Sequence, residues 1–147
     1  MTEKLQKGIH YPAISVVPII HDGDGKYLFE LRSQQCRDER GVWNVAGGGS
    51  LEHGETLEAG LKREIKEEVN ATAFNIEHLG HNEVFREVDG ATSHWIRFDF
   101  KVQVDPDEVK LMEPDKMDDL QWFTLEELPE PTHSQWGVFL EKNRAYL

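Results

Sequence analysis

The chain has 147 residues, 38% of them hydrophobic and 30% charged, the balance expected of one globular domain with enough material for a proper core. Its 28 acids against 16 bases leave a formal net charge of −12, which excludes a phosphate-neutralising surface for DNA or RNA polymers; a small polyphosphate ligand would need a metal to bridge it to an acidic site. The single cysteine, Cys36, permits no internal disulfide, the opening MTEKLQKGIHYP has no apolar signal-peptide core, and no apolar run is long enough to span a membrane, so the cytoplasm is the expected compartment.

Residues 13–20, AISVVPII, form an apolar run rich in β-branched side chains. The turn cluster Asp22-Gly23-Asp24-Gly25 follows, then KYLFELR over residues 26–32, again strand-like. The pattern predicts two strands joined as a hairpin. The Asp-Gly-Asp-Gly lacks the further ligands and closing glutamate of a calcium loop, so it is read as turn chemistry. Pro18 inside the first strand predicts an edge or a bulge. Residues 33–41 are polar and charged and are read as a loop bordering the site.

Residues 47–70, GGGSLEHGETLEAGLKREIKEEVN, hold six acids against three bases. From Thr56 to Val69 there is no proline, and Leu, Glu, Lys and Ala dominate, which predicts a helix with Thr56 as its cap. At about 100° per residue, Leu57, Leu61, Ile65 and Val69 fall near 0°, 40°, 80° and 120°, one apolar stripe. On the same wheel Glu67, Glu64 and Glu68 fall near 280°, 340° and 20°. A surface helix ordinarily puts its carboxylates opposite the core stripe. Here Glu68 lies between Leu57 and Leu61 with Glu64 beside them, an arrangement that costs energy unless a cation neutralises it. Helix geometry alone leaves two readings open: a hard divalent cation such as magnesium, which takes oxygen ligands, or a solvated acidic helix with Glu-Lys pairs.

The full spacing is Gly49, five residues, Glu55, seven residues, Arg63-Glu64-Ile65, one residue, Glu67-Glu68. It closely resembles the signature of the Nudix hydrolases. Every charged position and the first glycine match; Asn70 stands where the family has glycine and Ala71 where it has an aliphatic residue. Asn is the next-best residue for a left-handed helix end. The resemblance implies a single domain over residues 1–147, of α/β class, with a Nudix-type mixed β-sheet sandwiched between helices. It implies a metal-dependent phosphoanhydride hydrolase using Mg²⁺ or Mn²⁺. Glu64, Glu67 and Glu68 would bind the metal, with Gly48 as a backbone-carbonyl ligand and Glu52 as an extra ligand where more than one ion binds. Arg63 would hold a glutamate in its ligating rotamer, and Glu55 would brace Arg63 or the loop. By the same likeness Arg32, ending the second strand, is a phosphate-contact candidate. The glycines Gly47 and Gly49 would let the backbone approach substrate closely. The family often has Trp, two residues, then Pro-Gly-Gly, whereas VWNVAGGGS after Gly41 lacks the proline and is one residue longer.

After the helix, β-rich segments are expected over residues 74–87 and 92–104, broken at Asp89-Gly90. In SHWIRFDFKVQV, Ile96, Phe98, Phe100, Val102 and Val104 share one face and Trp95, Arg97, Asp99, Lys101 and Gln103 the other, a half-buried strand. The polar set could line a substrate groove through Arg97, or be solvated. His78, His81 and His94 show no metal-ligand spacing. Residues 105–119 are acidic and loop-like, and a strand is expected over residues 120–124. Nucleotide-acting Nudix enzymes look similar here, with an acidic segment, Trp-Phe, then Glu-Leu-Pro. Glu113, with Glu108 next, is the candidate for an acid brought to the site from outside the signature. Thr124 to Glu127 reads as a capping box, Trp122 and Phe123 read as core, and a final helix is expected over residues 134–144.

The function expected is hydrolysis of a phosphoanhydride in a nucleoside diphosphate linked to another group, with a nucleoside triphosphate favoured over ADP-ribose or a nucleotide sugar. The small nucleotide is the expected partner, with no nucleic acid polymer and no membrane. Many relatives form dimers, so a homodimer is an expectation without an identifiable interface. The reading from another class is a non-catalytic nucleotide-binding regulatory module; a retired site would be expected to lose some of Glu64, Glu67 and Glu68.

Overall fold

The β-branched run near the N-terminus does form a strand. In the computed structural model, which describes residues 4–147, it is β1, Ala13–His21. The first three residues of the polar N-terminal stretch lie outside the described residues. A turn follows in which Asp22 Oδ1 accepts from the amides of Asp24 at 2.7 Å and Lys26 at 3.2 Å, with Gly23 and Gly25 at positive φ. It leads into β2, Tyr27–Arg32, antiparallel to β1 and paired with it at His21 and Tyr27. Then come β3 (Trp43–Val45), β4 (Gly49–Ser50), α1 (Leu57–Val69), β5 (Phe74–Val88), β6 (Ala91–Gln103), β7 (Met117–Phe123) and α2 (Trp136–Asn143).

One mixed seven-stranded sheet runs β3-β2-β1-β6-β5, with β4 on β1 and β7 on β2. β1 is parallel to β6 along its whole length, from Ala13 opposite Trp95 to His21 opposite Gln103. On its other side it meets β4 through Ser15 and Val16, and β2 only at His21. Pro18 falls between these two contacts. It lies in an interior strand, not at the expected edge; its missing N–H is tolerated because β1 is paired on one side only there. The same divergence of β1 from β2 opens the wedge that holds the site.

α1 covers one face of the sheet. Its Leu61, Ile65 and Val69 are fully buried against Val16, Ile20, Leu28, Phe100 and Val102. α2 covers the other, placing Trp136 and Phe139 on Ile19, Tyr27, Phe29 and Val45. The expected sandwich is present, and β2 shows how alternation builds it: Leu28 enters the α1 layer, Tyr27 and Phe29 the α2 layer. Ile65→Val should cost about 0.5–1.5 kcal/mol by removing one buried methylene, read as a lower urea midpoint at unchanged slope.

The β5–β6 hairpin turns at Asp89 and Gly90, both at positive φ, as a two-residue connection requires. Three boundaries differ from expectation. β7 begins at Met117, three residues early, because its ladder with β2 continues to Arg32. Thr124 makes no side-chain cap; residues 125–127 are a single 3₁₀ turn, too short for a capping box. α2 starts at Trp136, Ser134 being drawn off to Glu39. Among the described residues no helix is long and apolar enough to cross a membrane.

Candidate active site

The signature helix is fixed at both ends as expected. Thr56 Oγ1 accepts from the Ala59 amide at 3.1 Å, and Asn70 takes the left-handed conformation (φ 64°) with its amide on Lys66 O. Asn70 adds something glycine could not: its Nδ2 donates to Glu108 O at 3.1 Å. Glu108 also accepts from the Thr72 amide at 3.2 Å, so this second candidate acid holds the helix exit and does not line the cleft.

Arg63 is the hub. Its Nε and Nη2 donate to the two oxygens of Glu55 at 2.7 and 2.8 Å, the paired fork of a strong charge-assisted contact. Nη1 donates to Glu64 at 2.8 Å and Glu67 at 3.2 Å, and Nη2 to Ser50 O at 3.1 Å. The Arg63 hydrogen bonds, followed by the Glu52 amide, hold the Glu55 carboxyl down at about 2. Glu52 is exposed, its carboxylate 3.9 Å from the same Arg63 nitrogen that bonds Glu64 and Glu67.

The glycine run has three separate jobs. A Cβ on Gly49 would collide with the Glu64 carboxylate, which lies directly over it. Gly48 lines the cleft, and a Cβ there would press on Val16 O at 3.1 Å. Gly47, at φ 89°, backs onto Ile20, where a Cβ would come within 2.9 Å of Cδ1; it is a core contact and does not line the cleft. Gly49→Ala should displace the Glu64 carboxylate and cut turnover about 100-fold while the melting temperature changes little, measured on the same preparation.

The cleft is about 670 Å³. One wall is Gly48, Gly49, Ser50 and Trp95; the other is Arg32, Gln35, Cys36 and Arg37; Glu30, Glu64, Glu68, Asp115 and Lys116 complete it. A smaller hollow of about 260 Å³, lined by Lys62, Lys66 and residues 71–73, contains no acid and belongs to the outer side of α1. Glu68 is 6% exposed, and its one cation within 4 Å among the described residues is Lys116 Nζ at 3.9 Å. Burial, then the charges of Glu30 and Glu64, push its carboxyl up to about 9. Burial likewise lifts Glu30, 8% exposed and without a hydrogen-bond partner among the described residues, to about 7. Glu64 is raised by burial and drawn back by Arg63. Glu67 points outward, its side chain 51% exposed and touched by Arg63. Glu113 sits on the turn before β7; its Oε2 is shielded from solvent without a well-aligned donor, with the Lys116 ammonium 2.8 Å away.

Arg32 does line the cleft, but its guanidinium is committed to Glu39 O and Asp38 O at 3.2 Å and Asp38 Oδ1 at 3.1 Å. It braces the 33–41 wall, which Arg86 also ties down through Asp38 and Glu39 at 2.9 Å each. Arg97 faces α2 instead, bonded to Asp99 at 2.8 Å beneath Phe139. The sequence reading missed Glu30 and Lys116; Trp95, on the strand face expected to line a groove, does line the cleft. For Glu30 a signal existed: strand alternation puts Leu28, Glu30 and Arg32 on the α1 side, so a carboxylate was heading into that layer.

The donor set suits a hard divalent cation, being all oxygen and short of positive charge. Among the described residues no three acids, histidines or cysteines form a ready-made metal-holding group. The reason is visible: Glu64 and Glu67 are turned onto Arg63, and Glu113 onto Lys116. The shortage of positive charge around Glu68, and a Glu113 oxygen paired only with Lys116 among the described residues, fit a cation that would draw these oxygens together.

A family profile described as NUDIX domain matches residues 10–141. The chain is 30% identical over 125 residues to an NAD-capped RNA hydrolase NudC of Pseudomonas aeruginosa, covering 84% of this chain and 41% of the relative. It thus spans about two fifths of the length of these curated relatives. It is 37% identical over 81 residues to a CTP pyrophosphohydrolase of Escherichia coli K12, covering 55% of this chain and 57% of that one. Its fold is similar to the crystal structure of a MutT Nudix hydrolase from Burkholderia pseudomallei, with TM-score 0.78 and 26% identity over 90% of this chain and 98% of that chain. The NUDIX domain of Shewanella oneidensis NrtR complexed with ADP ribose, at TM-score 0.72 and 18% identity over 92% of this chain and 88% of that chain, shares the fold alone.

Proposed function

The chain belongs to the Nudix hydrolase family, and from that premise we propose that it hydrolyses a phosphoanhydride bond in a small nucleotide, a nucleoside triphosphate by preference. The observation that carries this reading is the Arg63 hub beside the buried Glu68. Four signature acids are gathered by one guanidinium and one helix face at the mouth of a cleft large enough for a nucleotide. Arg63 sets Glu64 and Glu67, Gly49 leaves room for the Glu64 carboxylate, and the apolar layer around Glu68 keeps competing water out. A divalent ion held by Glu64, Glu67, Glu68 and the Gly48 carbonyl would neutralise phosphate charge and acidify the attacking water. Glu113, on the loop that docks on the end of α1 through the Met112 amide and Glu68 O, would take the proton.

Two points support the triphosphate. The stretch Glu113-Pro114-Asp115-Lys116, followed by Trp122, resembles nucleotide-acting members of the family, and one relative is named for CTP. Other relatives, from Pseudomonas, are named for NAD-capped RNA. With a net charge of −12, this chain offers little to hold the phosphates of an RNA tail. The test is a panel of nucleoside triphosphates, ADP-ribose, nucleotide sugars and NAD with Mg²⁺, scored for pyrophosphate or monophosphate. Pyrophosphate with a nucleoside monophosphate from a triphosphate is the expected product. Turnover confined to ADP-ribose, sugars or NAD would overturn the substrate assignment, and binding without any turnover would favour a regulatory module.

A further inference from the structure

Lys116 is the cation at the heart of the cleft, and nothing in the signature accounts for it. Its backbone is clamped from the opposite wall. The Ser33 amide donates to its carbonyl at 3.0 Å, Cys36 Sγ to the same oxygen at 3.1 Å, and its own amide closes the turn onto Glu113 O at 3.0 Å. Its side chain, by contrast, is 57% exposed and reaches back to Glu113 at 2.8 Å and Glu68 at 3.9 Å.

We propose that Lys116 is the internal counter-ion of the metal-free cleft and passes to the phosphate chain of the substrate when a divalent cation takes its place among the acids. The inference rests on the reading of this cleft as a divalent-cation and diphosphate site. Three observations carry it. First, Arg63 is spent on Glu55, Glu64 and Glu67 and Arg32 on Asp38 and two loop carbonyls, which leaves Lys116 as the one cation within 4 Å of Glu68 among the described residues. Second, the two acids share this one ammonium, which stands 2.8 Å from Glu113 Oε2 and 3.9 Å from Glu68 Oε1. Third, lysine carries a compact charge on a flexible stem, so a half-exposed ammonium swings at small cost while its clamped backbone stays put. A divalent ion near Glu68 and Glu113 repels the ammonium, and the incoming phosphates supply its new partner. Metal and substrate should then bind better together than apart, because each removes the obstacle to the other.

The test uses the whole chain and three proteins: wild type, Lys116→Met and Lys116→Arg. All backbone hydrogen bonds survive both substitutions, and melting curves verify the fold. Mn²⁺ binding without substrate is read at pH 8 from the loss of the free-ion EPR signal. Inorganic pyrophosphate binding is read by calorimetry in saturating Mg²⁺. Lys116→Met should bind Mn²⁺ roughly three- to tenfold more tightly, because a competing charge is gone. It should bind pyrophosphate about tenfold more weakly, because a charge-assisted partner is gone. Lys116→Arg should stay within about twofold of wild type for Mn²⁺, since it keeps the charge. Opposite signs for metal and pyrophosphate are the signature of the exchange; a merely structural lysine would weaken both or neither. Mn²⁺ binding by Lys116→Met that is equal to or weaker than wild type, or unchanged pyrophosphate binding, overturns the proposal. If wild type binds no Mn²⁺ at all, the metal reading fails first and takes this one with it.

Discussion

Glu68→Gln should lower magnesium-dependent turnover about 1,000-fold or more, with the fold intact. Glutamine keeps the shape of the buried side chain but removes the anionic oxygen. Unchanged turnover in this variant would reject the assignment. The same substitution should alter how stability depends on pH in the metal-free protein. The Glu68 carboxyl is pushed from its ordinary 4.5 up to about 9 by burial and by neighbouring acids. Between those values the folded chain keeps a proton that the unfolded chain has released. Stability from this group is full below about 4.5 and is lost as pH rises toward 9. Glu30, raised to about 7, adds a smaller loss over the lower part of the same window. A tenfold difference in proton affinity between folded and unfolded chain is nominally about 1.4 kcal/mol, and relaxation of the site reduces the sum, so a decline of about 2 kcal/mol from pH 5 to pH 9 is expected in EDTA. Denaturant melts at several pH values should show that decline in wild type and a flatter profile in Glu68→Gln. Mg²⁺ should restore wild type most at the alkaline end, where it need not displace a proton. Parallel profiles for the two proteins would show that Glu68 is not the buried, repelled group described here.

The helix wheel made much of this legible before any coordinates. It placed Glu68 inside the apolar stripe, Glu64 at its border and Glu67 farther round, and the three are respectively buried, nearly buried and outward. Fixed spacing made Gly49, Glu55 and Arg63 readable because their partners lie within one local unit. What the sequence could not supply were partners distant along the chain. Arg32 was the right residue type at the cleft, yet its commitment to Asp38 depends on how the 33–41 loop folds back. Lys116 acquires meaning only when the turn at residues 113–117 docks on Ser33 and Cys36, a contact across about eighty positions. The edge expected at Pro18 presumes a strand with two equal sides, whereas β4 and β2 share one side of β1 and leave a gap. Glu52 is a different case: proximity in sequence to the ligands does not say which way an exposed loop carboxylate turns, and in the fold it turns toward Arg63.

Arg63→Ala should be nearly as damaging as loss of a ligand, although Arg63 is placed to touch neither phosphate nor metal. Removing the guanidinium leaves Glu55, Glu64 and Glu67 without the cation that spaces them and frees the Ser50 carbonyl from its donor. Glu64 then relaxes away from its position over Gly49. Because misplacing a reactive group by about 1 Å can cost 100-fold, and two ligands move together here, a fall of about 1,000-fold in kcat is expected. Metal-free stability should fall as well, since the like charges of Glu55, Glu64 and Glu67 then face one another unscreened. High salt should recover part of that stability by screening but should not restore turnover, which depends on geometry. Arg63→Lys separates the two effects: it returns the charge but cannot form the two-pronged contact with Glu55. It should melt close to wild type and remain at least about tenfold slower. The decisive comparison is kcat and melting temperature for wild type, Arg63→Lys and Arg63→Ala across salt concentration. If Arg63→Lys recovers full kcat, charge alone suffices and the positioning role is wrong; if all three melt alike, the acids are not held apart by this residue.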